Sequence, residues 1–275
     1  MKLDVAFGQY YEGNSFIHRL DPRFKLLIAI VFIVAIFMAD NVWSFALLFL
    51  VTAAVIALSR VPVRLILRGM RSLIFILIFT AVINIFWIKG ETLLFEWRFI
   101  HIYLEGVVNA SLIFARILIL IALTGVMLTY TTTPLGLTDG LERLLSPLAK
   151  IRLPVHEFSM MMTIALRFIP TLIEETQKIM NAQTARGATF SEGGLIKRAK
   201  ALIPIIIPLF VSSIRRATEL ADAMECRCYI GGEGRTKMNV LRFGAKDVFA
   251  LLASFAVLAG VILIDRFAPG YALGI

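Results

Sequence analysis

The chain has 275 residues, 59% of them apolar and only 17% charged, with a mean hydropathy of +0.84. A soluble domain carries nearer a quarter charged residues, so the composition excludes one and marks an integral membrane protein. The net charge of +9 would point to nucleic acid in a soluble chain, but here it must first be set against the asymmetry of Lys and Arg across a bilayer.

Residues 1–23 are polar and mixed, without the basic and apolar regions of a signal peptide. The first apolar segment, Phe24 to Ala39, is short for a bilayer, which takes roughly 17–25 residues, unless it borrows its flanks. "ADN" at 39–41 predicts a tight turn into a second span, Val42 to Ser59. In "RVPVRLILRGMRS" (60–72), Arg60, Arg64, Arg68 and Arg71 share one helical stripe, as in an interfacial segment that touches anionic lipid head groups. A third span runs from Ser72 to Ile88 and a fourth from Gly106 to Tyr130, the latter with a single charge, Arg116. A mid-span arginine costs about 2.5–3.5 kcal/mol. It should therefore face the bundle as a buried tie, with Asn109 two turns away on its helix face and carbonyls from a neighbouring helix. The fifth span is Val248 to Ile264.

With the N-terminus cytoplasmic, 24 of the 28 Lys and Arg lie inside, three lie outside (Lys89, Arg98, Arg266), and Arg116 is within a span. This asymmetry sets the orientation and explains the basic balance without nucleic acid. Five spans then leave the C-terminus outside. The chain divides into a four-span bundle (1–130), cytoplasmic coupling helices (131–245) and a C-terminal transmembrane helix (246–275).

The block from 131 onward is too long for a loop and too apolar for a soluble domain. "TTPLGLTDGLERLLSPLAKI" predicts a short amphipathic helix with Leu141, Leu144, Leu145 and Leu148 on one stripe. Two long helices follow, each with an apolar, proline-containing front (Pro170; Pro204 and Pro208) and a polar, alanine-rich tail. At ~1.5 Å per residue the tails reach roughly 24–29 Å past their prolines. The small residues Ala182, Ala185, Ala217 and Ala221 would let them cross closely. Both tails end on an isolated arginine, Arg186 and Arg227. Singly, each is an ordinary helix-terminal charge, with Gly187 a left-handed cap at the first. As a pair they make a two-point dock, since arginine forms bidentate bonds to carboxylates.

The segments around these arginines carry a family resemblance. "AQTARGATF" resembles the first Ala-Arg-Gly signature of the transmembrane (T) component of energy-coupling factor (ECF) transporters, and "AMECRCY" is similar to the second. "GNSFIHRLDPRFKLL" (13–27), "LTYTTTPLGLTDGLERLLSPL" and "ALRFIPTLIEE" resemble the same family in the expected order. The resemblance implies an all-α fold of about five transmembrane helices plus a coupling domain of about three helices, two of them long and crossed. It implies a component that is not itself an enzyme, in the plasma membrane of a prokaryote. This component would link two ABC-type ATPase subunits, which bind the ATP, to a membrane-embedded substrate-capture (S) component for vitamin or metal-ion uptake. Ala185, Arg186, Gly187, Glu225 and Arg227 would dock the ATPases. The second signature departs from the first in having Cys226 and Cys228 in place of Ala185 and Gly187, so Gly231-Gly232 is expected to shape that helix end.

Other motifs assign no chemistry. "GGEGRTK" (231–237) fails as a phosphate loop: Tyr229 stands where the first glycine belongs and Arg235 where lysine is required. His18, His101 and His156 are scattered and make no metal cluster, and Met160–Met162 reads as adaptable packing. Glu219, Asp222 and Glu225 are expected to pair with Arg215 and Arg216 along one helix. No cofactor of its own is expected; the partners are the ATPases, the S component and the lipid bilayer. A self-contained permease would need polar groups converging in several spans, and an intramembrane enzyme would need clustered carboxylates, a Ser/His pair or a metal box; neither pattern is present in the sequence.

Overall fold

The computed structural model describes residues 10–87, 92–97, 100–147, 154–188, 190, 194–231 and 244–267. His101 and the ladder residues 93–97 and 100–103 are described by their backbone, and most of "GGEGRTK" lies outside the described residues. Among the described residues there are eight α-helices: α1 (Pro22–Met38), α2 (Val42–Ser59), α3 (Val63–Trp87), α4 (Leu104–Thr124), α5 (Pro134–Leu145), α6 (Val155–Ala185), α7 (Leu195–Cys226) and α8 (Ala245–Phe267). The described residues also hold one antiparallel hairpin, β1 (Leu93–Trp97) with β2 (Ile100–Tyr103), between α3 and α4. The fold is that of an all-α membrane protein with this one short insertion.

Contacts divide the chain into two units, Gly8–Leu141 with Leu241–Ile275, and Glu142–Val240. The divide falls inside α5.

In the first unit, α1 starts where Asp21 accepts a hydrogen bond from the Arg23 amide at 3.0 Å and Pro22 occupies the first turn. α8 is fastened alongside α1 at both ends. Near its start, Asp247 accepts from the Asp21 amide at 2.8 Å. Near its finish, Asp265 accepts from the amides of Asp40 and Asn41 at 3.3 and 3.2 Å and from the Ser44 hydroxyl. Asp265 thus supplies a cap to α2 from another helix. Ile28, Phe32, Ala35 and Ile36 of α1, Phe45 and Leu48 of α2, Leu112, Ile119 and Leu123 of α4, and Val261 of α8 form the core between these clamps.

α4 continues into a π-helical turn, Gly125–Tyr130. The hydroxyls of Thr131 and Thr132 both donate to the Met127 carbonyl, at 3.0 and 2.9 Å, and so occupy an acceptor that the wider turn leaves open. The Lys25 ammonium, 1% exposed, donates to the Thr131 carbonyl at 2.7 Å and to the His18 carbonyl at 3.3 Å. α5 then passes so close to α1 that a Cβ on Gly140 would sit 3.1 Å from Pro22 Cβ, which is why the position is glycine.

The set of helices able to cross a bilayer differs from the sequence reading at two helices, α1 and α7. Among the described residues, α2, the Leu104–Tyr130 run, Ile196–Cys226 of α7 and α8 are long and apolar enough, with α3 a fifth if its two bent halves count as one span. α1, at 17 residues, is shorter than these spans. α7, assigned above to the cytoplasmic block, qualifies because apolar residues from Ile203 to Ile214 cover its front half.

Candidate functional site: the two helix tips

The second unit is built on α6 and α7, helices of 31 and 32 residues. Glu142 of α5 holds the start of α6. Its carboxylate accepts from the Ser159 hydroxyl at 2.7 Å and lies 3.2 Å from His156 Nδ1. The two long helices are joined by an ion pair, Arg216 Nη2 to Glu175 Oε2 at 2.8 Å. Arg216 therefore reaches across to α6, and not along its own helix to Glu219 three residues on. The cross-helix carboxylate is already in range, and an i,i+3 or i,i+4 pair is worth only about 0.2–0.5 kcal/mol.

Glu175 precedes Arg186 by eleven residues, and Arg216 precedes Arg227 by the same eleven. Each tail thus runs ~16 Å beyond the common tie. Ala182, Ala185, Ala217 and Ala221 are exposed. The alanines expected to line a close crossing are thus not buried, and the ion pair that ties the helices lies further back, at Glu175 and Arg216.

Both tips end in the same turn. At α6, Arg186 is the C-cap, the Gly187 amide donates to the Thr184 carbonyl at 2.9 Å, and the Ala188 amide donates to Gln183 at 3.0 Å. At α7, Arg227 is the C-cap, the Cys228 amide donates to Glu225 at 2.8 Å, and the Tyr229 amide donates to Met224 at 3.0 Å. These are the paired bonds of a Schellman motif, position for position. Gly187 takes the left-handed conformation at φ 87° and Cys228 takes it at φ 55°. The expectation that Gly231-Gly232 shapes the second end is corrected by this geometry. Cys228 closes the turn itself, because the motif needs a left-handed residue immediately after the cap. Gly231, at φ 106°, only redirects the chain afterwards.

The turns leave both guanidinium groups outside. Arg186 and Arg227 are exposed, as are Ala185, Gly187, Glu225, Cys226 and Cys228. Among the described residues neither arginine pairs with a carboxylate. An exposed arginine on a closed helix end keeps its planar fork open to solvent.

Arg116 is a different case. Its guanidinium donates to the Ala39 carbonyl, lies 3.4 Å from Asp40 Oδ1, and sits 5.4 Å over the Phe45 ring. The expected carbonyl partner is present, but it comes from the α1–α2 turn, and Asn109 is not the group that pairs with it. Arg116 lies mid-way along the Leu104–Tyr130 run by sequence but at the far end of α1 in space. The run has 27 residues against 17 in α1, so its middle meets the finish of the shorter helix. Arg116 ties helices together at this corner, beside the Asp265 cap. Sequence reasoning did not single out Lys25, Asp247, Asp265, Glu142 or Glu175. The available signal was a carboxylate at each end of the apolar α8.

A family model described as CbiQ, cobalt transport protein, matches residues 13–238. Among similar proteins, the energy-coupling factor transporter transmembrane protein EcfT of Ruminiclostridium cellulolyticum is 48% identical over 262 residues, 95% of this chain and 97% of its own. The EcfT of Acidaminococcus fermentans is 50% identical over 264 residues, covering 94% and 97%. That of Bacillus subtilis is 46% identical over 262 residues, covering 95% and 98%.

Proposed function

The chain belongs to the CbiQ cobalt transport protein family, and we propose that it works as the transmembrane energy-coupling (T) component of an ECF transporter. In this reading two ABC-type ATPase subunits bind and hydrolyse the ATP, and an S component in the same membrane captures a vitamin or a metal ion. The chain transmits motion between them and carries out no chemistry of its own. It sits in the plasma membrane of a prokaryote with its N-terminus in the cytoplasm, consistent with the split of Lys and Arg.

The observation that carries the proposal is the repeated tip. Two helices tied together at one ion pair each present an unpaired arginine from the same turn, at the same distance from the tie. Each fork would take a carboxylate in a groove of one ATPase, and the Glu175–Arg216 pair would make the helices move together when the ATPases close. Arg116 bears against the permease alternative, since the charge within the fourth span is engaged by Ala39 and Asp40.

The test is gentle co-purification on the full chain, with mass spectrometry of what is retained. Two ATPase subunits and a small membrane protein are expected, and the latter identifies the cargo. The Arg186→Glu/Arg227→Glu double variant should lose the ATPases. Stoichiometric ATPase binding and normal uptake in that variant would sink the proposal.

A further inference from the structure

The coupling role leaves one charged surface without a use. Arg60, Arg64, Arg68 and Arg71 are all exposed, and among the described residues none of them pairs with a carboxylate. Four unpaired cations within twelve residues repel one another, which is a cost unless something outside the chain neutralises them.

The surroundings narrow what that partner is. α3 bends by 63° between Val63–Arg71 and Leu73–Trp87. The first half packs Ile66 and Met70 on Ala122, Val126 and Tyr130 at the end of the α4 run, beside the buried Val61. This is the end of the bundle where Lys25 meets Thr131. At 100° per residue the first half then has three flanks in order. Ile66 and Met70 face the protein, Val63 and Leu67, 56% and 57% exposed, come next, and Arg64, Arg68 and Arg71 follow within about 60° of arc. A helix with one flank on protein, one bare apolar flank and one cationic flank beside it matches a bilayer surface: acyl chains under the apolar flank, phosphates over the charges. After the bend, Phe75, Ile76, Ile78 and Phe79 are exposed by 78, 59, 52 and 58%, continuous with the same apolar surroundings.

Arg60 adds an independent sign. It caps α2 in the left-handed conformation, φ 55°, where glycine would relieve strain. The position tolerates that strain while holding a charge at the corner where α2 turns into α3.

We propose that Arg60, Arg64, Arg68 and Arg71 form a binding surface for the phosphate groups of anionic phospholipids, holding the first half of α3 in the membrane plane. A soluble acidic partner would have no need of the bare Val63 and Leu67 flank next to the charges. The inference does not depend on the ATPase-docking role of the α6 and α7 tips.

The experiment is native mass spectrometry of the full complex, released from nanodiscs of equal phosphatidylglycerol and phosphatidylcholine. The parent protein should retain phosphatidylglycerol preferentially. The Arg64→Gln/Arg68→Gln/Arg71→Gln variant should lose that preference by roughly a hundredfold, at about fivefold per charge near an anionic surface. Inorganic phosphate should not displace the lipid. The single variant Arg60→Gly keeps the test decisive if the triple variant fails to fold: it should melt no lower than the parent yet bind phosphatidylglycerol several-fold less. Wild-type lipid preference in both variants overturns the proposal. So does loss of ATPase co-purification with lipid retention unchanged, which would make the surface a protein dock.

Discussion

At the end of α6 the left-handed position is filled by Gly187, and at the end of α7 by Cys228, yet the same two hydrogen bonds close both turns. Glycine adopts that conformation freely, whereas a residue with a Cβ pays about 1 kcal/mol or more. What the two ends share is therefore the geometry that sends an arginine outward, and what differs is how cheaply it is reached. Cys228 is exposed and touches no core, so nothing in the packing of α7 requires its side chain. Its strain is tolerated where the chain turns an arginine toward solvent.

The comparison breaks most readily at the arginines. Arg186→Glu and Arg227→Glu, made singly, should each weaken ATPase binding by about 10- to 100-fold, the worth of a charge-assisted bond of about 1.5–3 kcal/mol. Titration of the ATPases onto each variant in detergent measures it. Equal losses support two equivalent docking points; a loss confined to one arginine ends the equivalence. Next in size is the left-handed position itself. Gly187→Ala should destabilise the α6 end by about 1 kcal/mol, whereas Cys228→Gly should stabilise the α7 end by less than about 1 kcal/mol, the relief of left-handed strain being partly offset by a freer unfolded chain. Amide hydrogen exchange at Ala188 and Tyr229 reads the two effects, and the same sign at both tips would contradict the shared turn. Smaller again is Glu175→Gln. The pair it breaks is part-exposed, with side chains 26% and 34% accessible, so the loss should stay below about 1 kcal/mol and shrink further in salt. The smallest effect is expected from Cys226→Ser, within about 0.5 kcal/mol by thermal melting, because the residue is an exposed position on the last turn of the helix.

Much of the architecture was legible because it rests on local rules. Ala39–Asn41 and the long apolar runs announce a turn and the spans by composition. The arginine tips were legible from the echo of one helix end in another. What stayed hidden depends on which distant residues meet. Arg216 has acidic neighbours on its own helix, and only the packing of α6 against α7 selects Glu175. Asp265 reads as a lone charge at the end of a span until the α1–α2 turn is brought under it. The left-handed Cys228 was missed because glycine is the ordinary occupant of that place, and Gly231-Gly232 stood nearby as a decoy. The hairpin at Leu93–Trp97 and Ile100–Tyr103 was passed over as connection, being short and flanked by much longer helical patterns.

The clamps of α8 on α1 have a consequence for biosynthesis. Asp247 and Asp265 are separated by eighteen residues, ~27 Å of helix, and the amides they satisfy, those of Asp21, Asp40 and Asn41, are made long before them. More than two hundred residues of chain are made between the donors and their acceptors. Until α8 enters the bilayer, those early helix ends lack two of their carboxylate partners, and contacts so distant in sequence are slow to form. The ends of α1 and the start of α2 are completed by a helix made more than two hundred residues later, so these clamps close only after α8 has been synthesised.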